Sequence, residues 1–202
     1  MSKQGFDRWK KDVFVFEGGF SNDTRDAGNW SYYDSAGSYT GVKQLMGTNR
    51  GIIWDTYRQY AAKLFGKKAS YGHFKSMTVA EAEAVAYEIW KVLYGNAIKD
   101  DRLAIMIVYA HWGSMVGGQH IVLTAQKWLN NKGFNLVQDG AIGPKTVEAI
   151  NALTEKQTTD LANHLLDARA NWIRSLPQYK IYPGWEKAID FLKTVYSEFE
   201  KK

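Results

Sequence analysis

The chain has 202 residues, 45% hydrophobic and 23% charged, with no cysteine and a net charge of +5. That length and balance are enough to bury a core, and they exclude wholesale disorder, a disulfide framework and thiolate metal sites. The basic excess is spread along the chain, which describes a solvated surface with weak attraction to anionic polymers, and no basic helix or aromatic platform supports a nucleic-acid partner. No phosphate-cradling glycine loop, no serine or cysteine nucleophile motif and no histidine and carboxylate set at metal spacing is present, so neither a cofactor nor a metal is expected. Met1-Ser2-Lys3-Gln4 is followed by no apolar signal core, and the longest apolar run, Leu103 to Ala110, is too short to cross a bilayer. A soluble chain without stable membrane insertion is expected.

In chain order, Phe6, Trp9, Val13 and Phe16 are spaced as one apolar face of a helix. Glu17 comes next, over Val13 and Phe14 at the border of that face, and Gly18-Gly19 are expected to end the helix with positive φ. Residues 21–51 turn polar and irregular. Within them Trp30-Ser31-Tyr32-Tyr33 and Ser38-Tyr39-Thr40 flank the turn-like Asp34-Ser35-Ala36-Gly37, which predicts a β-hairpin. Trp54, Tyr57, Ala61 and Leu64 restore the helical period up to Gly66, and Thr78-Val79-Ala80-Glu81 has the form of a capping box opening a helix to about Tyr94, stopped by Gly95. Leu103 to Ala110 is apolar on every side and predicts a central buried helix behind Asp100 and Asp101. A helix is then expected from His120 to Gly133, Pro144 at a first helical position, and helices over 159–175 and 184–199. The fold class is mainly α, an α+β helical bundle around a central buried helix, with a small β-hairpin lobe.

The residues able to do chemistry together are Glu17, Asp26 and Thr48, with Asp23 beside them. A carboxyl sunk against apolar neighbours is disfavoured as a charge and stays protonated, as a general acid must. Asp26, nine residues on and in a polar loop, is in surroundings that keep a carboxylate ionised. Glycoside hydrolysis uses such a contrasted pair. For Asp23 an Asx-turn brace with Asn22 is the better reading. Trp30, Tyr32, Tyr33 and Tyr39 either stack on pyranose faces or form a cluster holding the lobe together. Tyr109, Trp112 and Trp128 are read as core, and His111 as a packed, hydrogen-bonded histidine.

Glu17-Gly18-Gly19-Phe20-Ser21-Asn22-Asp23, then Asp26 and Gly28, then Thr48-Asn49-Arg50-Gly51-Ile52 together resemble the glycoside hydrolase family 108 lysozymes. Ala125-Gln126-Lys127-Trp128-Leu129 with Asp139-Gly140-Ala141-Ile142-Gly143-Pro144-Lys145-Thr146 resembles the predicted peptidoglycan-binding region of that family's second half. The resemblance implies a lysozyme-like fold and N-acetylmuramidase activity on the β-1,4 bond between N-acetylmuramic acid and N-acetylglucosamine, with Glu17 as acid. The Glu, Asp and Thr spacing is also similar to that of phage-type lysozymes, which implies that Asp26 and Thr48 hold the attacking water. Asn22, Asp23, Asn49 and the hairpin aromatics are the expected glycan contacts. The implied organisation is a catalytic region over 1–119 and a wall-binding-like region over 120–202, packed as one compact unit and monomeric. The implied partner is the peptidoglycan glycan strand, reached after release by a holin or another export route.

The chain also departs from that family. Asn29 to Gly47 are inserted where the family runs directly into Thr-Asn-x-Gly-Ile, so Thr48 reaches the site only if the insertion loops outward. Thr24 replaces a proline, Asn29 a glycine, and His111-Trp112-Gly113 lacks the family's asparagine before glycine. The insertion keeps open a rival reading, a catalytically inactive wall-binding or secretion-assisting protein.

Overall fold

The computed structural model describes residues 3–16, 18–180 and 184–199. They fall into two compact units, one of residues 10–89 and one of residues 1–9 with 90–202.

The unit of residues 10–89 begins within helix α1 (Lys3–Phe16), which buries Val13 and ion-pairs Lys10 with Glu83 at 2.9 Å. Strands β1 (Phe20–Ser21), β2 (Trp30–Tyr33), β3 (Tyr39–Leu45), β4 (Thr48–Asn49) and β5 (Ile52–Ile53) follow. They form two antiparallel sheets, β1-β4-β5 and the hairpin β2-β3. The hairpin is where the aromatic runs predict it, and its turn is built by Asp34, whose carboxylate accepts from the Ala36 and Ser38 amides, with Gly37 at φ +83°. Helix α2 (Trp54–Phe65) stops at Gly66, φ +55°. Its Trp54 and Tyr57 pack with Phe74 of α3 (Tyr71–Ser76), all three almost fully buried.

Helix α4 (Val79–Val92) opens with the predicted box: Glu81 accepts from the Thr78 amide and hydroxyl, and its own amide bonds back to Thr78 Oγ1. The other Glu81 oxygen lies 3.0 Å from His73 Nε2. The Thr78 amide first, then His73 and the Thr78 hydroxyl, hold the Glu81 pKa at about 2, below its ordinary 4.5. A depressed carboxyl contributes stability above its unfolded pKa and loses it as pH falls through the folded one. Glu81→Ala is therefore expected to lower stability at pH 7 by about 1 kcal/mol, as cap losses do. The deficit against wild type should close between pH 4.5 and about 2, read by urea melts across pH.

The other unit is helical. Helix α5 (Asp101–Gly113), capped by the Asp100 carboxylate on the Leu103 amide, buries Leu103 through Val108 at 0% exposure. Each of these side chains except Ala104 stabilises by roughly 1.5–3 kcal/mol over leaving it in water. Around it pack α6 (Met115–Asn130), α8 (Glu155–Ser175) and α9 (Gly184–Phe199), while α7 (Pro144–Asn151), with proline in its first turn, rests on α6. The first turns of α1 bring Phe6 and Trp9 against Trp90 and Trp112, with ring centroids 5.2–5.9 Å apart.

Three expectations need correction. Gly19 does not have positive φ, and a Cβ at it would meet none of the described residues within 4 Å; the expectation for Gly18 turns on Glu17, which lies outside the described residues. Helix α6 starts at Met115, five residues before the predicted His120, because the Ser114 hydroxyl caps the Gly117 amide. The pair Gly117-Gly118, poor in helix propensity, conceals that start; here their bare backbones fit against Arg169 and Trp172 and against the His111 ring. Helix α8 starts at Glu155, not at 159, with a complete capping box of Thr154 and Gln157.

Candidate active site

The stretch after α1 is shaped by hydrogen bonds that converge on Asn29. The insertion leaves and returns at that residue: its carbonyl accepts from both the Met46 amide, 2.8 Å, and the Gly47 amide, 2.9 Å. Gly47 is obligatory. Its φ is +83°, and a Cβ there would stand 2.6 Å from the Ser21 carbonyl and 2.7 Å from the Phe20 ring. The chain then pairs β4 with β1, Thr48 opposite Ser21 and Asn49 opposite Phe20. The hairpin is thus closed at its base and leans on α2 through Ser31, Tyr33 and Asp34, and Thr48 returns in the strand paired with β1. Glu17 itself lies outside the described residues.

The Asn29 side chain, buried at 1% exposure, completes the junction. Its amide donates to the Asp23 carbonyl, 2.9 Å, and its oxygen accepts from Thr48 Oγ1, 2.6 Å. With its proton held by Asn29, the Thr48 hydroxyl is oriented to accept a hydrogen bond from water. Asp26 sits at the N-cap of the 3₁₀ turn 27–29, its Oδ1 accepting from the Gly28 amide at 2.8 Å and its carbonyl from the Asn29 amide at 3.1 Å. Asp26 is exposed and Thr48 half-buried. Both are therefore tied to one residue whose importance the sequence did not disclose, although the departure from glycine at position 29 pointed at it. Asn29→Ala is expected to cost about 1–3 kcal/mol by leaving buried partners unpaired and to slow cleavage more than Asn29→Asp, whose carboxylate still accepts from Thr48. Denaturation and turnover measured on both variants decide it.

The other candidates divide. Asn22 is exposed. Asp23 is a brace, but toward Arg25 and not Asn22: it accepts from the Arg25 amide, 2.9 Å, and holds the guanidinium fork at 2.6–3.1 Å. That side-chain bond, then the backbone one, lowers its pKa to about 2. Asn49 is corrected from glycan contact to structural residue. It is 2% exposed and its amide donates to the Phe74 and Lys75 carbonyls. The Thr48 to Ile52 motif is a tight hairpin, Asn49 opposite Ile52, with Arg50 at φ +52° and Gly51 at φ +75°; the glycine is required by that backbone. Trp30 donates its indole N–H to the Thr24 carbonyl, and Tyr33 is covered by the Arg58 guanidinium, 3.4 Å from its ring centre. Tyr32 and Tyr39 remain open to solvent at 42% and 67%, their centroids 6.1 Å apart.

In the helical unit, His111 bonds the Ile107 carbonyl through Nδ1 at 2.7 Å, and burial pushes its pKa down, so it is a neutral packed side chain. Gln126 explains the second-half motif: buried at 1%, its amide donates to the Asp139 carboxylate and the Ala141 carbonyl and its oxygen accepts from the Gly140 amide. Gly140 has φ +71° and lies on the Gln119 carbonyl. The motif fixes a loop before α7. Among the described residues no cluster of histidine and carboxylate could hold a metal ion, and no helix is long and apolar enough to cross a membrane.

Comparison with known proteins gives the family and the fold. The family model described as glycosyl hydrolase 108 matches residues 10–114, and that described as a predicted peptidoglycan domain matches residues 120–187. The solved structure titled "Structure of Brucella abortus SagA" superposes with a TM-score of 0.66 at 23% identity, over 100% of this chain and 98% of that one, which establishes the mainly α, lysozyme-like fold. No curated protein matches the chain. The match over residues 10–114 takes in the Glu17 segment, Asp26 and the strand that returns Thr48, and with the peptidoglycan match behind it the chain belongs to the glycosyl hydrolase 108 family, as a glycoside hydrolase of bacterial cell-wall peptidoglycan.

Proposed function

We propose that the chain is an N-acetylmuramidase that cleaves the β-1,4 bond after N-acetylmuramic acid, with Glu17 as general acid. Glu17 protonates the leaving glycosidic oxygen as the C1–O bond breaks. A water held between the Asp26 carboxylate and Thr48 Oγ1 attacks C1 and gives its proton to Asp26, inverting the anomeric centre. The observation that carries this reading is the junction at Asn29, which orients the Thr48 hydroxyl as an acceptor and closes the turn capped by Asp26. That no described residue crowds Gly18 or Gly19 supports it, since a sugar ring needs backbone without side chains beside the acid. Tyr39, and Tyr32 on the face away from Lys43, offer exposed rings to pyranose C–H bonds, and Asn22 is exposed.

Residues 1–119 serve as the catalytic region in this reading and residues 120–202 as the wall-binding one, in a monomer that reaches the wall through a holin or another export route. Digestion of purified peptidoglycan, borohydride reduction and mass spectrometry of the fragments test it. Reduced muramic acid ends are expected, and newly released α-anomers by proton NMR at early times. Reduced glucosamine ends overturn the bond assignment, and anhydro-muramic ends, made when the sugar's own C6 hydroxyl attacks C1 at that same bond, overturn hydrolysis by water. No fragments, with the protein pelleting with the wall, leaves the inactive binding protein.

A further inference from the structure

The hairpin does more than return the chain. Its turn and helix α2 border an open depression of about 240 Å³ whose lining includes Gly37, Trp54, Arg58, Ala62 and Ser70. We propose that this pocket binds a peptide carboxylate, the free C-terminus of a peptidoglycan stem peptide, beside the glycan strand being cut. The inference rests on the wall-hydrolase reading and adds a stem-peptide subsite to it.

Arg58 carries the argument. Its stacking on the Tyr33 ring fixes the guanidinium plane, and among the described residues its acceptor is the Gly37 carbonyl at a long 3.4 Å from Nη1. Among the described residues its buried Nε meets no acceptor and no carboxylate pairs with the guanidinium. Asp34 and Asp55, the nearby acids in sequence, are committed to the turn amides and to the Ser31 hydroxyl. A guanidinium held flat with its charge uncompensated matches a carboxylate, which accepts two parallel N–H bonds where a neutral amide accepts one. Ser70 adds a donor. Its Oγ accepts from the His73 amide, which leaves its own proton to give.

The rest of the lining selects a small chain end. The volume is below the roughly 300–1,000 Å³ of pockets that engulf drug-sized ligands, which suits a chain end laid into an open depression more than a whole saccharide. Ala61, Ala62 and Ala69 with the Trp54 face leave room for a methyl-sized side chain next to the carboxylate, the chemistry of a terminal alanine.

The test uses the full chain and two substrates, intact peptidoglycan and glycan strands freed of peptides by an amidase. Arg58→Gln removes the charge, and Ala62→Phe fills the pocket from an exposed position while keeping Arg58. Both are expected to reduce kcat/KM on intact peptidoglycan about tenfold, the loss typical of one charge-assisted interaction, with no loss on stripped strands. Arg58→Lys should fall between. Direct titration with N-acetylmuramoyl-tetrapeptide and with its C-terminal amide should show binding about tenfold weaker for the amide in wild type and no such difference in Arg58→Gln. Equal losses on both substrates, or equal binding of acid and amide by wild type, overturn the subsite. If wild type cuts neither substrate the muramidase reading fails, and the titration alone decides the pocket.

Discussion

Glu17→Gln is expected to slow peptidoglycan cleavage by about 10²–10⁴-fold, the contribution of a positioned general acid, without changing the melting temperature. Glutamine keeps the volume and the hydrogen-bonding outline of the acid but has no proton to give the leaving oxygen. The substitution is isosteric, so whatever the side chain packs against is kept. Because protonation matters in the transition state and not in binding, the loss should fall on kcat with KM little altered. A chromogenic aryl glycoside of the same disaccharide, whose leaving group departs without protonation, should recover much of the rate. Retention of more than a tenth of wild-type turnover on peptidoglycan by Glu17→Gln would place the acid elsewhere.

The largest stability effect is expected from Trp9→Ala, about 3–5 kcal/mol, the usual cost of deleting a buried aromatic. Trp9 is 0% exposed and touches Phe6, Trp90 and Trp112 at ring distances of 5.2–5.9 Å. Its truncation leaves a cavity that three rigid rings cannot collapse into. Since domains are stable by only about 5–15 kcal/mol, the variant should melt far below wild type in urea. Its indole N–H has no partner among the described residues, so Trp9→Phe loses no hydrogen bond and should be much milder. Equal effects of the two substitutions would show that the ring contacts are not what holds the cluster. The two experiments separate cleanly: Glu17→Gln changes rate without stability, and Trp9→Ala changes stability first.

Much of the fold was legible because local signals agreed with the tertiary outcome. The apolar period of α1, the box at Thr78 and Glu81, the all-round apolar α5 and the proline of α7 each predict the element observed. The starts of α6 and α8 were not, the first because Gly117-Gly118 looks like a break and is a packing surface for His111, Arg169 and Trp172. The Thr154 and Gln157 box was present in the sequence and passed over beneath a polar run. At the candidate site, motif residues were visible but their duties were not. Asn49 looks like a polar glycan contact until its amide is seen spent on Phe74 and Lys75, about 25 residues away. Asn29 meets Thr48 across 19 positions, and the Arg58 pocket joins the hairpin turn to α2. Such pairings carry no periodic or local signal.

The bonds from Met46 and Gly47 to a single carbonyl also give the hairpin a property of its own. Entrance and exit of the segment coincide, so the entropy of closing it is settled at the junction and hardly depends on what lies between. Residues 30–45 are in effect a cassette: their length and tip can be rewritten, as in domain insertion, while Thr48 keeps its place opposite Ser21. A wall enzyme built this way can exchange its recognition of peptide stems from one bacterial wall to another without redesigning the machinery that cuts the glycan.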